Sequence, residues 1–92
     1  MDYVPLPPAI YDHPFSGTVV ETHMPWDDVD AFCKAAGVTW YSQVYACAVL
    51  KDNTCYIFLP LLGRGGVSVR AMDIARRHEI GHCNGWPKDH PQ

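Results

Sequence analysis

Three residues near the end of the sequence, His78, Glu79 and His82, have the types and spacing of a metal site that carries its own base. On a helix of about 3.6 residues per turn, side chains four apart stand about 40° from one another, so the two histidines can share one tetrahedral ion. A glutamate beside the first of them can take a proton from a water that such an ion polarises, without being a ligand itself. Gly85 follows His82 by three residues. A left-handed helix end at that glycine would turn the chain sharply and return a later side chain toward the ion. Lys88, Asp89 and His90 come next. A lysine ammonium must lose a proton before it can coordinate, which leaves Asp89 and His90 as third ligands, with His90 preferred. His13 is a more remote candidate.

The surrounding pattern supplies a helix to carry these residues. With Ser68 as N-cap, Val69 to Asn84 divides on a helical wheel into two arcs. One holds Arg70, Asp73, Arg76, Arg77 and Asn84, with Val69 and Ile80 its apolar members; the other holds Ala71, Met72, Ile74, Ala75, His78, Glu79, Gly81, His82 and Cys83. Both histidines thus fall on the face that should be buried, where a single histidine is ordinarily a hydrogen-bonded core residue. Glu79 is the one charged residue there, and burying a lone carboxylate is costly unless a cation or donors compensate. Ala71 and Ala75 let this face lie close to a sheet.

The run His78-Glu79-Ile80-Gly81-His82-Cys83-Asn84-Gly85 resembles the HExxH signature of the zincin metallopeptidases, extended to HExxHxxG as in metzincins. The resemblance covers about the last fifth of the chain. At the third-histidine position of metzincins this sequence has Lys88, so a ligand at Asp89 or His90 implies a longer loop, and the Met-turn of that family is missing. What the resemblance implies is a zinc-dependent peptidase: Zn2+ held by His78, His82 and His90, Glu79 as general base that hands the proton to the leaving amine, and a sheet edge that pairs with an extended peptide. Tyr41, Tyr45 and Tyr56 are available to steady the oxyanion.

Two other readings stand beside it. The same run, as His78-Glu79-x-x-His82-x-Asn84-Gly85, is similar to the last motif of peptide deformylases, in which an upstream cysteine completes the site; Cys47 or Cys55 would serve. The other is a zinc-stabilised binding or regulatory domain, since a small domain gains from a metal staple. Structural zinc needs four closed ligands and no base, so His90 together with a cysteine would mark that case.

Length and composition bound the rest. Ninety-two residues, 48% of them hydrophobic, make one small domain with a single core. A net charge of -3 argues against nucleic acid or an anionic membrane as partner. No segment has the apolar length of a membrane span, and the first residues lack the basic start and apolar run of a signal peptide. The default compartment is the cytoplasm, and a processed secreted chain would read the same way. Cys33, Cys47, Cys55 and Cys83 do not by themselves force disulfides; a Cys47–Cys55 bridge across a hairpin is one option, and Cys83 reads as a buried small residue.

The expected fold is α+β, a small sheet of about three strands packed on two helices, the second carrying the site near the C-terminus. Residues 1–16, with Pro5, Pro7, Pro8 and Pro14, form an extended arm packed over the domain by Tyr3, Leu6, Ile10, Tyr11 and Phe15. Thr18 to Thr22 reads as a strand and Trp26 to Ala36 as an amphipathic helix stopped at Gly37. Tyr41 to Leu50 and Thr54 to Leu59 read as a hairpin around Lys51-Asp52-Asn53, covered by helices on one side and by the arm on the other. Residues 60–66 are a glycine-rich connection without the spacing of a phosphate loop.

Overall fold

The computed structural model describes residues 4–38, 43–63 and 67–92. Tyr3, residues 39–42 with Tyr41 and the expected start of the hairpin, and residues 64–66 of the connection lie outside the described residues. In chain order the elements are β1 (Thr18–Met24), α1 (Trp26–Ala35), β2 (Cys47–Lys51), β3 (Thr54–Pro60) and α2 (Val69–Cys83). The class is α+β, with a three-stranded mixed sheet in the order β1-β3-β2.

β-Branched residues in β1 and β3 favour extended backbone, and the two strands pair in parallel from Thr18 opposite Thr54 to Met24 opposite Pro60. β2 pairs antiparallel to β3 across a two-residue turn at Asp52 and Asn53. Their φ values of 51° and 58° are left-handed, a conformation Asp and Asn tolerate better than other side chains. The hairpin is shorter than Tyr41 to Leu50 suggests. Ahead of Cys47 the chain is drawn to α1, where Asp30 Oδ1 accepts the Val44 backbone N–H at 2.7 Å. A donor held there is not available to a sheet ladder.

Strand side chains alternate between faces, and each face of β3 has its own helix. Cys55, Ile57 and Leu59 are fully buried against Met72, Ala75 and Cys83 of α2. On the other face Phe58 packs beside Cys47 of β2 and Val29 and Cys33 of α1, with the Phe32 and Phe58 ring centroids 4.1 Å apart. The helices therefore flank the sheet, and the arm does not cover a face of it as the sequence suggested. The arm lies on α2 instead: Pro7 is buried there, while Ile10 remains 73% exposed.

A disulfide fixes each helix to its face. Cys33 of α1 joins Cys47 of β2, and Cys55 of β3 joins Cys83 of α2, both with 5.9 Å between Cα atoms. The Cys47–Cys55 bridge is excluded by register, because Cys47 stands opposite Phe58 and so on the face away from Cys55. Cys83 is likewise a disulfide partner, not a free buried thiol. Among the described residues no helix is long and apolar enough to cross a membrane.

Candidate metal centre

Helix α2 begins where the sequence indicates, with Ser68 Oγ accepting the Ala71 N–H at 3.1 Å. Its buried positions Met72, Ala75, His78, Glu79, Gly81 and Cys83 follow the expected inner arc. The helix closes at Asn84, whose N–H is shared among the last carbonyls, and Gly85 adopts φ 106°. Glycine meets that left-handed value without steric penalty, and the chain doubles back. Trp86 N–H then bonds to the Gly81 carbonyl at 3.0 Å, and the indole N–H bonds to the Pro91 carbonyl at 2.9 Å. These two bonds hold the segment 86–91 under the helix end.

His90 is brought to the histidine pair by that return. It has φ 59°, a left-handed value that costs a non-glycine residue about 1 kcal/mol or more, and its N–H closes a turn on the Pro87 carbonyl at 3.0 Å. The Nε2 atoms of the three histidines form a near-equilateral triangle, with His78 to His90 at 3.1 Å, His82 to His90 at 3.2 Å and His78 to His82 at 3.3 Å. Around an ion with tetrahedral angles, donor separations are about 1.6 times the bond length; zinc–nitrogen bonds of about 2.0–2.1 Å therefore call for about 3.3–3.4 Å. The triangle fits a small divalent cation to within a few tenths of an ångström.

The tautomers support the same conclusion. His78 Nδ1 lies 2.7 Å from the Pro5 carbonyl and His82 Nδ1 lies 2.8 Å from the Trp86 carbonyl. A carbonyl only accepts, so each Nδ1 carries the proton and each neutral Nε2 presents a lone pair. Those lone pairs converge, an arrangement that repels unless a cation sits between them. Burial keeps the rings neutral: it lowers the pKa of His78 to about 4, with the positive forms of His82 and His90 as further causes, against the pull of the Pro5 carbonyl. His82 and His90 are also shifted down, chiefly by burial. Neutral imidazole is the coordinating form.

Glu79 flanks the triangle, its Oε2 4.0 Å from His78 Nε2 and its residue only 6% exposed. Among the described residues no donor reaches its carboxylate, and burial alone raises its pKa to about 8. The carboxyl opens onto a cleft of about 210 Å³ bounded by the three histidines, by Val4 and Pro5 of the arm and by residues 43–48 leading into β2. A second cavity of about 380 Å³ adjoins it past His82, sharing Val38, Cys47, Ala48 and Lys88. Both lie along β2, whose outer edge carries no paired strand among the described residues; all three histidines line the first cavity and His82 alone reaches the second.

Of the other candidates, Asp89 is exposed and stands apart from the cluster, and His13 is exposed with its ring bonded to the Pro14 carbonyl at 3.0 Å. Cys47 and Cys55 are both in disulfides and cannot be the thiolate ligand of a deformylase-like site, nor can any cysteine close a four-ligand structural one. Tyr45 lines the cleft, its ring edge-on to Trp26 at 4.9 Å. Tyr56 points to the α1 face of β3, away from it, and Tyr41 lies outside the described residues. Two contributors escaped sequence reasoning. Trp86 stacks on His82 with ring centroids 4.9 Å apart, which the Gly-Trp-Pro run hints at; the Pro5 carbonyl has no side-chain signal at all.

No protein-family model, curated protein or solved structure matches this chain.

Proposed function

We propose that this protein is a zinc-dependent metallopeptidase of zincin type, acting on peptides bound in extended form along β2. The observation that carries the reading is the converging Nε2 triangle with a buried Glu79 beside it, 4.0 Å from His78 Nε2 and without a hydrogen bond among the described residues. Three histidine ligands and an open fourth position are the donor set of catalytic zinc. Bound there, zinc supplies Lewis acidity to a water molecule and to the scissile carbonyl.

The remaining chemistry belongs to the chain. Glu79 accepts a proton from the attacking water as the carbon–oxygen bond forms, then delivers it to the amine nitrogen as the carbon–nitrogen bond breaks. A carboxyl that burial holds at about 8 ionises more readily beside a dication, which is the state a base requires. Of the tyrosines that the sequence offers, Tyr45 is the one among the described residues that lines the cleft, and the role of donor to the developing oxyanion goes to it in this reading. The outer edge of β2, which carries no paired strand among the described residues, would offer main-chain hydrogen bonds to a peptide strand, and the second cavity past His82 gives room for a longer peptide. The two disulfides favour an oxidising compartment, and so the secreted alternative over the cytoplasm.

A zinc-stabilised binding domain is the second reading, favoured by the size of the chain. The test separates them. Metal content is measured for wild type, Glu79→Ala and His78→Ala, and each is offered a mixed peptide library. About one zinc per chain in wild type and Glu79→Ala, little in His78→Ala, and cleavage by wild type alone are expected. Stoichiometric zinc without cleavage would transfer the site to the binding domain, and a metal-free wild type that takes up no zinc would overturn both.

A further inference from the structure

The N-terminal arm touches the metal centre in a way its composition does not announce. Residues 4–15 lie along α2 and are fastened to it at three places. Asn84 Nδ2 donates to the carbonyls of Tyr11 at 2.9 Å and His13 at 2.7 Å. Arg77 pairs with Asp12 through Nε at 3.2 Å and through Nη2. Pro7 sits against Gly81 so tightly that a Cβ on Gly81 would stand 2.4 Å from Pro7 Cγ and 2.8 Å from Pro7 Cβ. Between these fastenings and the cleft, the Pro5 carbonyl accepts the Nδ1–H of His78 at 2.7 Å, and Val4 and Pro5 form part of the cleft wall.

We infer that the arm is a working part of the metal centre: it positions His78 through the Pro5 carbonyl, and Gly81 is small so that the arm can come close enough to do so. His82 receives the corresponding support from its own helix end, through the Trp86 carbonyl. His78 has no such neighbour on α2 and depends on a residue 73 positions away. The carbonyl fixes the ring orientation and the tautomer, and proline at that position limits the backbone freedom of the acceptor. The inference rests on the metal-site reading above and concerns how that site is held.

Gly81→Ala tests it, because alanine is the better helix former and the substitution should otherwise be benign or stabilising. Zinc affinity is measured by competition with a chromophoric chelator, and the His78 Nδ1–H resonance by NMR. Gly81→Ala should weaken zinc about tenfold to a hundredfold and shift or broaden that resonance. Pro7→Gly removes the two Pro7 atoms that the new methyl would meet, so the double variant Pro7→Gly/Gly81→Ala should regain affinity to within about threefold of Pro7→Gly alone.

The same methyl would also stand 3.3 Å from Trp86 Cε3. Weak binding that Pro7→Gly does not rescue would assign the effect to Trp86 and overturn the inference, as would a Gly81→Ala protein that binds zinc like wild type. Should Gly81→Ala fail to fold, Arg77→Gln/Asn84→Ala removes two of the fastenings without a clash and must show the same loss of affinity and of the resonance. A wild type that binds no zinc would instead sink the metal-site reading itself.

Discussion

Of the three histidines that could hold a metal ion, His90 is the one on which the geometry makes the most specific demand. It reaches the triangle only by accepting a left-handed backbone and a turn closed on Pro87, while Asp89 beside it faces solvent. Replacing His90 with alanine should weaken zinc binding at least about tenfold, whereas Asp89→Asn should change it by much less. Equal affinities for His90→Ala and wild type in a chelator competition would remove His90 from the ligand set. His78, Glu79 and His82 are legible in the sequence because a helix converts spacing into direction. His90 is legible only as one of two neighbours, since the choice between Asp89 and His90 is made by the φ of a return loop. The carbonyls of Pro5 and Trp86 are invisible in a sequence, because every residue has one.

Among the elements, α2 carries His78 and His82 and is itself fixed by the Cys55–Cys83 bridge, one residue beyond His82. The Cys33–Cys47 bridge fixes α1 on the other face; Cys47 borders the cleft, but no residue of α1 belongs to the histidine cluster. The two disulfides close segments of 28 and 14 residues, for which chain entropy predicts about 3–4 kcal/mol and about 3 kcal/mol of stability. Urea denaturation should find comparable losses for Cys55→Ser/Cys83→Ser and Cys33→Ser/Cys47→Ser. Zinc affinity should drop about tenfold or more only in the first pair; equal affinities in the two would show that the bridge does not tension the site. The helices and the hairpin could be read from periodicity and turn residues. The pairing of cysteines could not, because it depends on which face of β3 each one meets, and the early end of β2 follows from a single acceptor, Asp30, on a distant helix.

For the molecule as a whole, paired carboxylates at the surface add to what the buried histidines lose in acid. Hydrogen bonds from Arg76 hold Glu21 below its ordinary value of 4.5, and His23 adds to the effect. Arg77 does the same for Asp12, and the Val44 backbone N–H, followed by Lys34, for Asp30. In each case the unfolded chain takes up a proton at a higher pH than the folded one. The stabilisation is complete above the unfolded pKa and disappears as pH falls through the folded one. With a chelator present, the melting temperature of wild type should therefore fall more between pH 6 and pH 3 than that of Glu21→Gln, which retains every histidine and so isolates this one carboxylate. Identical falls would show that the Glu21–Arg76 pair contributes nothing measurable.

One contact described above has a bearing on the lifetime of the protein. The bond from His78 to Pro5 spans 73 positions, so this support of the histidine triangle forms only when almost the whole chain has closed on itself. Closure over that distance must meet its loop entropy before any contact rewards it, which places it after the local helix and hairpin. An ion held there would gain nothing from a half-assembled chain and would act on the finished one, slowing its opening more than it speeds its assembly. Survival among proteases would then follow the supply of the metal that the histidines hold, since a chain without it would open more often.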